Sequence, residues 1–307
     1  MLAIKDLSVE FMTDHKVKAV DRVSLNIRKG TNTTIIGETG SGKSVLILSI
    51  LRLLPPSAKI TGKVIFENSD LFQMSKKETE LIRGRKISYI PQGSGNALNP
   101  LLIIGYQVAE PMIVHKMITK KQAPQRSIDL LKRFNLGNEE RRIHDYPHTL
   151  SGGMKQRVLV AMGISAGAGL ILADEPTKGL DKSRVFMVVD CFQQLKSETI
   201  LCVTHDLDFA QVIGDYVAVM YAAQIVEYSK KDDFFSKPLH PYSEALINSM
   251  PENGLKALKG FAPPHDTYSY SGCRFFERCS FKSDRCRSDP PLVEFGIRQV
   301  RCWKYAD

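Results

Sequence analysis

The residues Gly37-Glu38-Thr39-Gly40-Ser41-Gly42-Lys43-Ser44 concentrate the most specific chemistry in the chain. The apolar run Thr33-Thr34-Ile35-Ile36 precedes them and Val45-Leu46-Ile47-Leu48-Ser49-Ile50-Leu51 follows, so the pattern predicts strand, glycine-rich loop and helix. This is the P-loop pattern in the setting its chemistry requires. The three glycines let the backbone curl until its N–H groups face phosphate oxygens, and the following helix adds the positive end of its dipole. Lys43 can then reach the β- and γ-phosphates of a nucleotide, and the Ser44 hydroxyl can ligate Mg²⁺.

Two carboxylates complete this chemistry. Gly169-Leu170-Ile171-Leu172-Ala173 reads as a buried strand closed by Asp174 and Glu175. At a strand end beside a P-loop, Asp174 can hold Mg²⁺ through a water molecule. Glu175 is placed to accept a proton from the water that attacks the γ-phosphate.

A third group lies near the carboxyl end, where Cys273, Cys279, Cys286 and Cys302 are separated by five, six and fifteen residues. The paired C-x₂-C knuckles of a zinc ribbon are absent from this spacing, and a reducing cytoplasm disfavours disulfides. Four thiolates can ligate a [4Fe–4S] cluster, whose negative charge Arg274, Arg278, Arg285, Arg287 and Arg301 would offset. Zinc and unmetallated cysteines stand as alternatives. The other two cysteines, Cys191 and Cys202, sit singly in apolar segments and read as packing residues.

The elements that must position these groups can be traced in order. Ala3–Phe11 and Val23–Ile27 alternate as strands, joined through the polar stretch Thr13–Lys18, and Lys29-Gly30 turns the chain toward the P-loop strand. An aromatic ring upstream of a P-loop can stack on adenine; Phe11 is the candidate, with His15 as rival. Pro55-Pro56 stops the P-loop helix, Thr61–Phe66 begins another strand, and Ile87–Ile90 is a short strand ending at Pro91-Gln92. Helical patterns then dominate to about Leu150, clearest at Gly105–Val114 and Pro124–Phe134, as in a helical subdomain inserted into an α/β core. Strand and helix alternate again through Arg184–Leu195, Thr199–Thr204 and Asp208–Ile213, and Tyr216–Tyr221 with Gln224–Tyr228 resembles a closing hairpin.

Composition sets outer limits. The chain has 307 residues, 43% of them hydrophobic, enough for a large domain and an appendage. A net charge of +9 favours anionic partners without choosing among nucleotide, nucleic acid and a phospholipid face. No apolar run reaches the length of a membrane span, and the start Met1-Leu2-Ala3-Ile4-Lys5-Asp6 lacks the regions of a signal peptide, so a cytoplasmic protein is expected.

At Leu150-Ser151-Gly152-Gly153-Met154-Lys155-Gln156-Arg157 the sequence comes to resemble one family, the ATP-binding cassette ATPases. The resemblance covers roughly residues 1–250, with the P-loop, Gln92 after a strand, the Leu-Ser-Gly-Gly signature, Asp174-Glu175, Gly179-Leu180-Asp181 and His205 in order. It implies an α/β fold: a P-loop NTPase (RecA-like) core, an N-terminal antiparallel β subdomain, a helical subdomain at about 93–155, and a cysteine-bearing extension at 251–307. By resemblance, Ser151, Gly152 and Gly153 bind the γ-phosphate of the nucleotide held by another subunit's P-loop, so that two cassettes close head to tail around two ATP molecules. Gln92 would sense Mg²⁺ and the attacking water, His205 would hydrogen-bond the γ-phosphate, and Asp181 would bridge the interface.

Within that family the chain looks most like the ATPases of dipeptide, oligopeptide and nickel importers, on the strength of Asn99-Pro100, Tyr146-Pro147-His148, His240-Pro241-Tyr242 and Pro290-Pro291-Leu292. Such ATPases carry a similar cysteine-bearing extension. The segment Gly93-Ser94-Gly95-Asn96 stands where these importers usually have an Asp-Pro pair, and Lys178-Gly179 replaces the commoner small residues. The resemblance implies ATP and Mg²⁺ as cofactors, two permease subunits, a second related ATPase, an extracellular solute-binding protein acting indirectly, and a place on the cytoplasmic face of the membrane. A cassette acting on nucleic acid is the rival from another class. Chromosome-type members insert a long coiled coil between P-loop and signature, whereas about a hundred residues separate Lys43 from Ser151 here. A degenerate, non-hydrolysing cassette is disfavoured because Lys43, Gln92, Ser151, Glu175 and His205 are all present.

Overall fold

Leu2, Ile4, Leu7 and Val9 point inward along Leu2–Met12, and this alternation makes strand β1 of the computed structural model. The structure describes residues 1–12, 16–93, 97–195, 197–256, 258, 260, 262 and 271–306. It divides into two units, one built from 1–28, 33–72 and 203–307, the other from 29–32 and 73–202.

The first unit continues with β2 (Lys16–Ile27), β3 (Asn32–Ile36), helix α1 (Lys43–Ile50), β4 (Ala58–Phe66) and β5 (Ser69–Asp70). One antiparallel sheet has the order β2-β1-β4-β5, the β subdomain expected at the amino terminus. Strand β2 begins at Lys16, so Lys16–Lys18 belong to a strand rather than to the expected connection.

Passing into the second unit, the chain forms α2 (Lys76–Ile82), β6 (Ile87–Ile90), α3 (Ile104–Val114), α4 (Ala123–Arg133), α5 (Glu139–Arg142), α6 (Gly152–Ile164), β7 (Leu170–Asp174), α7 (Lys182–Gln193) and β8 (Thr199–Thr204). Strands β6 and β7 run parallel, from Ile87 opposite Leu170 to Ile90 opposite Ala173. All five residues of β7 are buried, as suits a parallel strand covered on both faces. Between β6 and α6 lie the expected helices, with Ala109, Met112 and Ala123 forming a small core of their own.

From Val203 the chain belongs to the first unit again, with α8 (Leu207–Ile213), β9 (Tyr216–Tyr221), β10 (Gln224–Lys230), α9 (Lys231–Ser236), α10 (Pro241–Asn248), β11 (Leu292–Phe295) and β12 (Arg298–Arg301). Here the strand order is β11-β12-β10-β9-β3, with β3 and β9 parallel and the rest antiparallel. The hairpin β11–β12 was not legible from the sequence pattern; it lies along β10, with Val300 opposite Glu227. Glu227 is fully buried there, and its carboxylate accepts from the backbone N–H groups of Leu239 and His240. Burial raises its pKa against the pull of those two donors and of Arg298, 3.7 Å away.

Candidate functional site

The phosphate loop runs from β3 into α1, and its curvature is fixed by close packing against its own unit. A Cβ on Gly42 would fall 2.1 Å from the Ala19 carbonyl oxygen, and one on Gly37 would fall 2.1 Å from that of Met220. Gly42, at φ +104, takes the left-handed conformation that starts the helix. Ser41 donates its N–H to the Glu38 carbonyl at 3.2 Å. The Lys43 ammonium is buried and donates to the carbonyls of Gly37 and Glu38 at 2.8 and 2.9 Å, drawing the two ends of the loop together. Thr39 and Gly40 are exposed and Ser44 is partly buried at the first turn of α1. Backbone N–H groups at a helix start, a lysine among them and a hydroxyl beside them are what a polyphosphate with its Mg²⁺ requires.

Behind this loop stand residues that sequence reasoning did not place there. The Glu38 N–H donates to the Tyr242 hydroxyl at 2.9 Å. Tyr242 is fully buried, packs on Tyr221 and Phe275, and burial pushes its phenol pKa well above the ordinary value. The Glu38 carboxylate receives both terminal nitrogens of Arg278, at 2.9 and 3.0 Å. His240-Pro241-Tyr242 carries the importer resemblance, but nothing in its spacing shows that the tyrosine reaches the P-loop.

In the second unit the remaining catalytic candidates lie at element ends. Asp174 closes β7, buried, with the Tyr89 hydroxyl donating to its Oδ2 at 3.2 Å. Burial, and then the Asp174 charge, push the Tyr89 pKa far up, so the phenol stays a donor. Glu175 is 4% exposed and takes φ +44, a conformation that costs a non-glycine residue about 1 kcal/mol. Strain of this kind collects where a side chain must be aimed. Lys178 lies 3.5 Å from its Oε2. Gln92 is exposed, two residues beyond the end of β6. Ser151 caps α6, its hydroxyl accepting from the Met154 N–H at 3.3 Å, with Gly152 and Gly153 in the first turn. Asp181 caps α7 by accepting from the Arg184 N–H at 3.0 Å.

His205, in the first unit, is exposed just after β8. Phe11 is half-buried on β1, paired with Val17 and Ala58. His15 and the segment 94–96 lie outside the described residues.

The four carboxyl-terminal cysteines come together. Cys273, Cys279, Cys286 and Cys302 all line one cavity of about 270 Å³, with His240, Phe281, Arg285, Trp303 and Lys304 among its other walls. Burial pushes the Cys273 thiol up to about 12 and also raises Cys279 and Cys302. None of the four is in a disulfide. Among the described residues no three His, Cys, Asp or Glu side chains are gathered closely enough for a single metal ion.

The expected charge balance needs correction. Of the five arginines, Arg285 reaches this cavity, stacked on Trp303 at 4.7 Å. Arg274 instead pairs with Asp21, Arg278 with Glu38, and Arg287 lies 3.5 Å from Asp284. Arg301 donates to the Pro290 carbonyl at 3.4 Å.

The family described as ABC transporter matches residues 20–178, and the family described as oligopeptide/dipeptide transporter, C-terminal region, matches residues 226–286. The oligopeptide transport ATP-binding protein AppD of Bacillus subtilis (strain 168) is 38% identical over 320 residues, covering 100% of this chain and 97% of its own. The dipeptide transport ATP-binding protein DppD of the same organism is 37% identical over 315 residues, covering 99% and 94%. Among solved structures, the dimeric post-hydrolysis state of the ATP-binding cassette MJ0796 bound to ADP and Pi superposes with a TM-score of 0.67 at 28% identity, covering 75% of this chain and 99% of that one.

Proposed function

Because the chain belongs to the ABC transporter family, we propose that it is the ATP-hydrolysing subunit of an importer of short peptides. The observation that carries this reading is the end-to-end likeness to oligopeptide and dipeptide transport ATP-binding proteins, cassette and carboxyl-terminal region together. Uptake of a labelled dipeptide and a labelled oligopeptide by cells lacking the chain, with and without the wild-type copy, tests it. Uptake restored by the wild type is expected. Normal peptide uptake with loss of nickel uptake would overturn it in favour of the metal-importer reading, which the relatives' names do not support.

In this reading the P-loop cradles the ATP phosphates, Lys43 neutralises their charge, and Ser44, Asp174 and Gln92 serve Mg²⁺. Glu175 takes the proton of the attacking water and His205 bonds the γ-phosphate. Ser151, Gly152 and Gly153 present a hydroxyl and free N–H groups to the nucleotide of a second ATPase, across an interface that Asp181 also reaches. Phe11 stacks on adenine. The motor docks on two permease subunits on the cytoplasmic face of the membrane, pairs with a related ATPase, and serves a solute-binding protein only through the permeases. Among the described residues no helix is long and apolar enough to cross a membrane.

The four cysteines hold a [4Fe–4S] cluster in the same reading, with Arg285 and Lys304 as its cationic neighbours. Such a cluster would tie the segments of the extension together. Iron and acid-labile sulfide in equal amounts, in protein purified without oxygen and lost in Cys279→Ser, are expected; zinc alone or no metal overturns the cluster.

A further inference from the structure

The carboxyl-terminal extension sends one arginine to the phosphate loop and a second to the β9–β10 turn that is bonded to it. Arg278 is one residue before Cys279. Its side chain is 7% exposed and forms a two-pronged ion pair with Glu38, the second residue of the loop. The same guanidinium donates to the Tyr221 hydroxyl at 3.3 Å and lies over the rings of Tyr221 and Phe275. Arg274, one residue after Cys273, is 4% exposed; it donates to the Ala222 carbonyl and pairs with the equally buried Asp21. Burial opposes the charge of Asp21, but Arg274, Lys18 and Arg22 outweigh it and hold its pKa below the ordinary carboxylate value.

The residues that Arg274 grips connect to the loop in turn. Ala222 and Ala223 form the two-residue turn between β9 and β10, with φ +45 and +70, the left-handed pair that a type I′ hairpin requires and that alanine adopts only under strain. The Ala223 N–H donates to the Ser41 carbonyl at 3.0 Å, and the Asp21 N–H donates to the Ala223 carbonyl at 2.8 Å. One arginine therefore bears on the loop through its own residue Glu38, and the other bears on it through a strained turn and Ser41.

We propose that Arg278 and Arg274 are positioning residues of the nucleotide site, through which the cysteine-bearing extension sets the shape of the phosphate loop and so the affinity for MgATP. The proposal rests on the reading of the chain as an ATPase and is independent of what the cysteine cavity holds. A two-pronged guanidinium pair fixes the direction of the Glu38 carboxylate as well as its charge, which a lysine cannot do.

The test is the dissociation constant of MgATP for the full chain, measured by titration calorimetry for wild type, Arg278→Gln, Arg278→Lys, Glu38→Gln and the double variant Glu38→Gln/Arg278→Gln. Arg278→Gln is expected to weaken binding about tenfold and Arg278→Lys to recover part of that loss. The double variant should be no weaker than the weaker single variant, because the two residues act through one contact. Wild-type affinity in Arg278→Gln, or losses that multiply in the double variant, would overturn the proposal. Should Arg278→Gln fail to fold, Arg278→Lys decides alone: about threefold weaker binding supports it and unchanged binding overturns it. A wild-type chain that does not bind MgATP would overturn the ATPase reading itself, and this proposal with it.

Discussion

The phosphate loop and the signature turn are both helix starts made of serine and glycine, yet they are held in different ways. The phosphate loop is enclosed from behind: Ala19 and Met220 leave no room for a Cβ, Ala223 bonds Ser41, Tyr242 and Arg278 bond Glu38, and Lys43 is drawn inward. The signature turn has a single cap, Ser151 on Met154, and Ser151 itself is exposed. Gly153 meets only the thioether of Met187, at 3.1 Å. A loop that holds a polyphosphate by itself needs a fixed backbone, whereas a turn that adds donors to a ligand already bound elsewhere needs accessible ones. The contrast accords with the division of labour proposed above.

The largest expected effect is at Glu175, the residue proposed to take the proton of the attacking water. Glu175→Gln is expected to lower ATP turnover of the assembled transporter by a factor of about 10² to 10⁴. Turnover at the wild-type rate would remove Glu175 from its role and, with it, the reason for its left-handed backbone. Next comes the loop's enclosure. Gly42→Ala places a Cβ on the Ala19 carbonyl in a left-handed conformation and should destabilise the chain by about 3 kcal/mol in denaturant unfolding. An unchanged unfolding midpoint would mean that the loop is not fixed from behind.

At the signature turn the expected change is smaller. Ser151→Ala removes one cap and should cost about 1 kcal/mol of stability. It should also reduce turnover of the assembled transporter if, as proposed, that hydroxyl faces the nucleotide of a second ATPase. A loss as large as that of Gly42→Ala would erase the distinction between the two helix starts.

The smallest effect is one of slope. Asp21 has a pKa below its unfolded value, so its contribution is complete above the ordinary carboxylate range and is lost as pH falls through that range toward the depressed value. In Asp21→Asn the loss of stability between pH 5 and pH 3, followed by unfolding in urea, should be shallower than in wild type. Equal slopes would show that the support of the phosphate loop is steric rather than electrostatic.

What the sequence made legible is local. The phosphate loop, the Asp174-Glu175 pair and the signature each compress their chemistry into a few adjacent positions, and strand and helix periodicity flanks them. The convergence of four cysteines on one cavity could be foreseen from their crowding, although not from their spacing. The supports of the loop were not legible, because Arg278 and Glu38 stand 240 positions apart and Arg274 and Asp21 stand 253 apart. No periodicity links residues at such separations, and in sequence both arginines stand closer to the cysteines than to their carboxylates. Strand β12 is illegible for another reason: in Arg298-Gln299-Val300-Arg301 a single apolar residue faces the core, too weak a pattern to stand out. Helix α2 left a signal that could have been used, since Ser75 and Glu78 form a complete capping box.

Strand β12 has a bearing on how far the chain can be cut. Without it, β10 would be an outer strand whose backbone N–H and C=O groups are open to pairing with another molecule, and Glu227 would lose its neighbour Arg298. A fragment ending after α10 would also lack both arginines that answer Asp21 and Glu38. The carboxyl-terminal hairpin covers an edge that would otherwise be open, and preparations trimmed to the cassette alone should be prone to aggregate.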